Sequence, residues 1–165
     1  MTSAHVRASG PLRMLDCMDT SKSTLAIGLV GCASQKLRRP APARELYVSS
    51  LFKKASAYAE ATCDRWYVLS AKHGLVHPDT VLEPYDMKLG TISGPPIQHW
   101  AKVVRNQLKD ELAGIEDFRL VALCGGQYRT ALDGGTWEYE TPMEGLGIGQ
   151  QLAWLTEKLN ALPAA

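Results

Sequence analysis

The chain has 165 residues, a formal net charge of +1 and 45% hydrophobic residues, a composition typical of one soluble globular domain. It contains no signal-peptide pattern and no apolar run long enough to span a membrane. None of its four cysteines forms a Cys-x-x-Cys pair. We therefore predict a cytoplasmic protein with reduced thiols, no membrane attachment and no structural zinc. Residues 36–72 carry eight Lys or Arg against three Asp or Glu, a local balance of +5, which would attract phosphate, although a solvated helix face would also explain it.

The chain begins without hydrophobic periodicity. We predict a loosely ordered leader over residues 1–23 and a single α/β domain over residues 24–165. Leu25–Val30 is a continuous apolar run, which is typical of a strand buried on both faces. A polar loop, Gly31–Lys36, follows this strand, and a basic, proline-containing stretch leads on to Arg44.

A helix and a second strand come next. Ser49 or Ser50 can cap a helix that runs to about Ala61. Trp66–Ser70 then predicts a strand, with Ala71–Gly74 as its exit loop.

A long loop spans His77–Pro96, because four prolines interrupt this stretch and it shows little periodicity. Within it, Val81–Leu82 predicts one short strand. After the loop, large apolar residues recur at the spacing of one helix face. These residues are Trp100, Val104, Leu108, Leu112 and Ile115.

The last third of the chain again alternates predicted strands with a predicted helix. Phe118–Cys124 predicts a third buried strand, which leaves through the loop Gly125–Arg129. Trp137–Glu140 is a candidate edge strand, and the final helix begins near Gly147. The alternation of strands and helices implies right-handed crossovers and a mainly parallel sheet of about four strands.

The three strand exits predict a functional site. In open α/β sheets, ligands bind beyond the carboxyl ends of the strands, and parallel strands bring their exits to one edge. Glycines at these exits would let a ligand approach the backbone closely. The candidate side chains are Cys32, Ser34, Lys36, Lys72, His73, Gln127, Tyr128 and Arg129.

Single members of this set have alternative explanations. Cys32 is either a nucleophile beside His73 or a core thiol among apolar neighbours. Lys36 is either a phosphate contact or a surface lysine, since its loop is not a Walker motif. The pair Gly125 and Gly126 does not form a dinucleotide-binding fingerprint.

The carboxylates also admit two interpretations. Asp86 lies in the proline-bounded loop, where Pro84 stiffens the chain. A rigid Asp86 would activate water or stabilise a cationic sugar in a transition state, whereas an Asx-type turn is the structural alternative. Glu138, Glu140 and Glu144 offer a second carboxylate or belong to an exposed edge strand.

Several short motifs together resemble a known family. They are Cys32-Ala-Ser-Gln-Lys36, Ala43-Arg-Glu-Leu-Tyr47-Val-Ser49-Ser-Leu-Phe52, Ser70-Ala-Lys-His-Gly-Leu75, Glu83-Pro-Tyr-Asp86 and Cys124-Gly-Gly-Gln-Tyr-Arg129. Over roughly residues 25–156 the chain resembles a family of small bacterial and phage domains of unassigned function. That family is distantly similar to the uracil-DNA glycosylase superfamily and to the related domain of archaeosine-synthesis enzymes.

The resemblance implies a three-layer, uracil-DNA-glycosylase-like sandwich that handles N-glycosidic bonds of modified nucleotides, plausibly in defence against phage. True uracil-DNA glycosylases carry a Gly-Gln-Asp-Pro-Tyr loop and a His-Pro-Ser loop, and neither occurs here. Roles are therefore carried over by position only.

On this basis we expect a monofunctional DNA glycosylase that flips a modified, hypermodified or glycosylated pyrimidine out of DNA. Asp86 would position water, while His73 or Gln127 would hydrogen-bond the departing base, and no metal or organic cofactor is needed. The residues expected to contact the substrate are Cys32, Ser34, Lys36, Tyr47, Ser70, Tyr85, Gly125, Gly126, Tyr128 and Arg129. Those expected to hold DNA phosphates are Lys36, Arg44, Lys53, Lys54 and Lys72.

Two other functions remain open at the level of sequence. One is an N-glycosidase or 2-deoxyribosyltransferase that acts on free nucleosides or nucleotides, which needs the pocket but no DNA-facing surface. The other is a non-catalytic module that binds a modified nucleotide. A basic strip beside the pocket would favour DNA, and the sequence favours a monomer.

Overall fold

The computed structural model describes residues 24–91 and 94–163. The predicted leader, residues 1–23, lies outside the described residues. The strands are β1 (Leu25–Gly31), β2 (Ala41–Pro42), β3 (Arg65–Ser70), β4 (Gly74–Val76), β5 (Val81–Leu82), β6 (Phe118–Leu123) and β7 (Tyr139–Glu140). The helices are α1 (Ala43–Leu46), α2 (Ser50–Thr62), α3 (Ile97–Leu112), α4 (Gly126–Asp133) and α5 (Ile148–Asn160).

A five-stranded sheet in the order β4-β3-β1-β6-β7 forms the centre of the fold. β1 pairs in parallel with both β3 and β6, and β6 pairs in parallel with β7. Only β4, in the described part of the chain, joins this sheet antiparallel, through a tight hairpin after β3. The expected mainly parallel α/β sheet is therefore confirmed, with five strands rather than about four. The short strands β2 and β5 pair separately.

Helices cover both faces of the sheet, so the fold has three layers. Side chains alternate along each central strand: Leu29 and Leu69 pack towards α3 and α4, whereas Val30 and Val68 pack towards α2 and α5. Gly28 lets α2 approach β1, since a Cβ there would lie 3.1 Å from the Ala59 Cβ. In the described residues, no helix is long and apolar enough to cross a membrane.

Local sequence signals located several element boundaries well. The Ser49 hydroxyl accepts a hydrogen bond from the Phe52 backbone N–H at 3.1 Å, so Ser49 is the N-cap of α2. Gly147 is the N-cap of α5, and Val81–Leu82 is a strand. The edge strand is shorter than expected and covers Tyr139–Glu140.

Two expectations are wrong. The predicted exit loop Gly125–Arg129 is largely helical, because α4 begins at Gly126. Two adjacent glycines stand at the start of this helix and give no sequence signal for it. The buried Ala131 and Leu132, together with Tyr128, pack this eight-residue helix against the rest of the fold. The chain after β3 also does not simply leave the sheet. It returns as β4, a strand of three residues that is too short to show alternation.

Candidate functional site

The candidate site lies where β1, β3 and β6 end, which we call the carboxyl edge. Cys32 follows β1 directly, and its backbone N–H donates to the Leu69 carbonyl of β3 at 3.0 Å. Trp100, on α3, donates from its indole N–H to the Ser70 carbonyl at 2.8 Å. The buried Trp100 therefore fixes the end of β3 against the helix that covers this face of the sheet.

Tyr85 connects several side chains at the carboxyl edge. Its hydroxyl oxygen lies 2.6 Å from that of Tyr47 and 2.7 Å from the Ser70 hydroxyl. Ser70 also accepts hydrogen bonds from the backbone N–H groups of Lys72 and His73. Burial raises the pKa of Tyr47 to about 12, and it raises the pKa of Tyr85 well above its usual range. These hydroxyls thus stay protonated and tie the long loop to the strand ends.

Two lysines lie against the Tyr85 ring. The Lys36 ammonium is 4.3 Å from the ring centroid, and the Lys72 ammonium is 5.9 Å from it, distances at which a cation is attracted to the ring face. Burial lowers the pKa of Lys36, while nearby Cys32 and Asp86 act in the opposite direction. Tyr85 therefore holds two cationic groups at the carboxyl edge.

His73 packs edge-on against the same ring, with 5.5 Å between the ring centroids. Burial, followed by the positive charge of Lys72, lowers the pKa of His73. The neutral imidazole is therefore favoured near neutral pH.

A cavity of about 320 Å³, the main cavity, opens beside this cluster. One wall is a contact of 3.3 Å between the Cys32 sulfur and the Tyr128 hydroxyl. Burial raises the pKa of Tyr128, so this hydroxyl remains neutral. Other lining residues are Ser34, Met87, Lys88, Leu89 and Gln127. The cavity thus combines apolar walls with a few polar groups, as small-molecule sites do.

Lysines dominate the charge around the main cavity. Lys88 lines it, Lys36 and Lys72 lie on the nearby Tyr85 ring, and Lys53 and Lys54 lie in the first turns of α2, which begins at this edge. Within the described ranges, none of these five lysines forms an ion pair. The carboxyl edge therefore presents cationic side chains that are not held in ion pairs, although the Asp86 carboxylate lies close enough to Lys36 to act on its charge.

Most of the predicted site residues lie together at the carboxyl edge, but some of them are buried or lie away from the main cavity. Tyr47 and Ser70, expected to contact substrate, are 1% and 0% exposed and bond to Tyr85 instead. Asp86 is exposed and lies next to Met87 in the cavity wall. Arg129, on α4, lies on the other side of the Cys32–Tyr128 contact from the main cavity and pairs with Glu144 at 3.2 Å.

Arg44 is not part of the carboxyl edge, contrary to its expected role as a phosphate contact. It lies at the opposite, amino edge, where β3 begins, and it packs on the Trp66 ring at 5.5 Å. Its guanidinium pairs with Glu60 and Asp79, each at 2.9 Å. These partners neutralise Arg44, and they raise its pKa, although burial opposes them.

One wall of the main cavity was not predicted from the sequence. Met87, Lys88 and Leu89 line it, directly after the Glu83–Asp86 motif. Leu89 is only 3% exposed and packs into the core below α3. An apolar residue in an otherwise irregular loop was the available signal that this segment folds back onto the sheet.

No metal-binding cluster is evident in residues 24–91 and 94–163, where three or more His, Cys, Asp or Glu side chains do not converge.

Comparison with known proteins gives two matches. Residues 27–157 match the model of a family described as "Family of unknown function (DUF6884)". The chain is also 31% identical over 123 residues to "Uncharacterized protein YfjM" of Bacillus subtilis (strain 168), covering 73% of this chain and 79% of that protein. Both matches agree with the expectation of a family of unassigned function.

Proposed function

This chain belongs to the family of unknown function DUF6884, and we propose that it is a DNA glycosylase that hydrolyses the N-glycosidic bond of a modified pyrimidine. The observation that carries the proposal is the main cavity at the carboxyl edge, with Lys88 in its wall and with Lys36 and Lys72 on the nearby Tyr85 ring, none of them in an ion pair. A concave pocket with both apolar and polar lining suits a base, and cations without ion pairs beside it suit a phosphate backbone.

The base would occupy the main cavity after leaving the DNA stack. Met87 and Leu89 provide apolar surface for its faces, and Gln127 provides an amide that can pair with its polar edge. At about 320 Å³ the cavity lies at the lower end of the volumes of known ligand pockets. It therefore suits one nucleotide and excludes a duplex.

The sugar would lie at the rim, beside Asp86. This carboxylate precedes Met87 of the cavity wall and is exposed, so it would meet the sugar of a nucleotide whose base is inside. Asp86 would orient a water molecule towards C1′ and stabilise the positive charge that develops on the sugar. The water oxygen bonds to C1′, the C1′–N bond breaks, and the water proton ends on the departing base.

Gln127 is a better candidate than His73 for contact with the departing base. Gln127 lines the main cavity, whereas His73 is not among the residues described in its walls and packs edge-on against the Tyr85 ring. We assign His73 to the support of Tyr85 and of the loop that carries Asp86.

The phosphates on either side of the flipped nucleotide would contact lysines. Lys36 and Lys72 are held by the Tyr85 ring, and Lys88 lies at the cavity wall. Contacts of this kind give affinity without base specificity. The distant similarity to the uracil-DNA glycosylase superfamily that the sequence resemblance implies favours the same class of reaction, although the two motifs of true uracil-DNA glycosylases are absent.

Excision can be measured directly. Duplex DNA containing modified pyrimidines, including hypermodified phage DNA, is incubated with the protein and then treated with alkali, which cuts at abasic sites. We expect strand breaks and free base, with a loss of about 100-fold or more in rate for Asp86→Asn. Asp110→Asn, an exposed carboxylate on α3 far along the chain from the site, is the matched control and should retain the wild-type rate.

Three results would change the assignment. Release of base from free nucleotides but not from DNA would favour the nucleotide N-glycosidase. Tight binding of modified DNA without base release would favour the non-catalytic module. Full activity in Asp86→Asn would remove Asp86 from the mechanism.

A further inference from the structure

A second cavity lies behind the Cys32–Tyr128 contact. Cys32 and Tyr128 line both the main cavity and a narrow space of about 100 Å³, which we call the neck. Beyond the neck is a space of about 220 Å³, which we call the recess. The neck and the recess share Cys124, Gly125, Met143 and Gln151 in their walls. The three spaces therefore follow one another along the carboxyl edge.

The neck and the recess differ in chemistry. Leu51, Phe52 and Ala55 of α2 line the neck, which makes it apolar and too small for a base. The recess is lined by polar side chains, including Arg129, Thr141, Glu144 and Gln151. A narrow apolar passage that ends in a polar chamber fits a group carried on a short linker.

Charges in the recess are balanced. Arg129 donates to one Glu144 oxygen at 3.2 Å, and the Thr141 hydroxyl donates to the other at 3.2 Å. This pairing contrasts with the unpaired lysines around the main cavity. An anionic group entering the recess would meet the Glu144 carboxylate and a cation that is already paired with it, whereas a hydroxyl can both donate and accept there.

We propose that the recess binds an uncharged, hydroxyl-bearing substituent of the base whose ring occupies the main cavity. This inference rests on the proposed function, since it assigns the base to the main cavity. The Glu144 side chain is 67% exposed, so the recess opens to solvent and the bulky end of the substituent would enter it from outside. Only the linker would lie between Cys32 and Tyr128 and replace their contact, which is weak because a thiol is a poor hydrogen-bonding group. Glu144 would accept from the hydroxyls of the substituent, and Arg129 would donate to them.

Three labelled oligonucleotides of one sequence test the inference. They carry 5-hydroxymethylcytosine, its glucosylated form or the matching glucuronylated form, whose sugar bears a carboxylate (the carboxylated probe), at one position, and their dissociation constants are measured by fluorescence anisotropy. We expect the glucosylated probe to bind about fivefold more tightly than the hydroxymethyl probe, a difference that corresponds to about one net hydrogen bond. The carboxylated probe should bind no more tightly than the hydroxymethyl probe.

A charge variant gives a readout that loss of structure would not produce. Glu144→Gln leaves Arg129 without its partner, so we expect the variant to gain about threefold in affinity for the carboxylated probe and to lose affinity for the glucosylated one. Glu138→Gln, which changes an exposed carboxylate outside the recess, is the matched control and should keep the wild-type order of affinities.

Equal binding of the glucosylated and hydroxymethyl probes would overturn the inference, and so would an unchanged preference in Glu144→Gln. Base excision is assayed in parallel on the same three probes. Excision without any preference in binding rejects the recess and leaves the glycosylase proposal standing. Preference without excision supports the recess and rejects the glycosylase.

Discussion

The two edges of the sheet contain similar parts in different electrostatic states. At the amino edge, Arg44 lies 5.5 Å from the centroid of the Trp66 ring beside a cavity of about 250 Å³. At the carboxyl edge, Lys36 lies 4.3 Å from the Tyr85 ring centroid beside the main cavity of about 320 Å³. The two edges are therefore not distinguished by the volume of their cavities or by the presence of a cation on an aromatic ring.

Ion pairing does distinguish them. Glu60 and Asp79 neutralise Arg44, and Glu60 also accepts a hydrogen bond from the Trp66 indole at 2.6 Å. Lys36 and Lys72 have no such carboxylate within the part of the chain that the structure describes. A cation whose partner belongs to the protein stabilises the fold, whereas a cation without one can bind an anionic ligand. The comparison thus predicts opposite consequences for matched changes at the two edges.

The largest effect on stability should come from Tyr85→Phe. The substitution removes the hydroxyl that joins Tyr47 to the fully buried Ser70, and we expect a loss of about 1–3 kcal/mol in the free energy of unfolding. Urea denaturation measures it. The control is Tyr58→Phe, a half-buried tyrosine packed on Trp154, which should change stability by less than about 0.5 kcal/mol. Equal losses in the two variants would show that the cluster has no special role.

Removal of two lysines should weaken binding of nucleic acid. In Lys36→Gln/Lys72→Gln we expect about a tenfold loss of affinity for a labelled duplex. The slope of log affinity against log salt concentration should also become shallower, by the equivalent of roughly two phosphate contacts. Anisotropy titrations over a range of NaCl concentrations give both quantities. Lys102→Gln/Lys109→Gln, on exposed positions of α3, keeps the same net charge as a control. A salt slope identical to that of the wild type would exclude these lysines from the interface.

The corresponding change at the amino edge is Arg44→Gln. It should cost about 1 kcal/mol in the free energy of unfolding, because the Arg44 ion pairs are partly exposed and such pairs contribute little. Its affinity for DNA should equal that of the wild type. If Arg44→Gln weakened binding as much as the double lysine variant, the contrast between the edges would be invalid.

The smallest effect concerns pH. Burial and Lys72 lower the pKa of His73 below its ordinary value of 6.5, so between the two values the unfolded chain binds more protons than the folded one. Stability contributed by neutral His73 is therefore present above pH 6.5 and is lost as the pH falls below that value. Thermal unfolding between pH 7.5 and pH 5 should show a shallower decline in His73→Asn than in the exposed-histidine control His99→Asn. Identical slopes would contradict this contribution.

The sequence identified the elements that have strong local signals. β1, β3 and β6 are continuous apolar runs, and α3 has a clear apolar face, so these elements follow from periodicity. β4 and the first turn of α4 do not follow from periodicity. β4 has only three residues, and two adjacent glycines stand at the start of α4, so neither segment shows a hydrophobic pattern. Their structure depends on contacts with neighbours that are remote in sequence.

The candidate site shows the same difference between features with a local sequence signal and features that depend on contacts remote in sequence. Parallel topology correctly predicts that Cys32, His73 and Tyr128 lie at one edge, yet it does not reveal which side chains bond to one another. Tyr47 and Tyr85 are 38 residues apart, and only the folded chain brings their hydroxyls together. A count of charged residues along the sequence likewise does not show which of them form ion pairs. For this reason the sequence predicts that Arg44 contacts phosphate, as it does for the lysines.

The most direct test of where the ligand binds is hydrogen exchange with and without a duplex that carries a modified pyrimidine. We expect slower amide exchange at the carboxyl edge, in residues 31–36, 70–74, 83–91 and 125–130, and no change around Glu60, Trp66 and Asp79. Protection at the amino edge with unchanged exchange in those four segments would contradict this expectation.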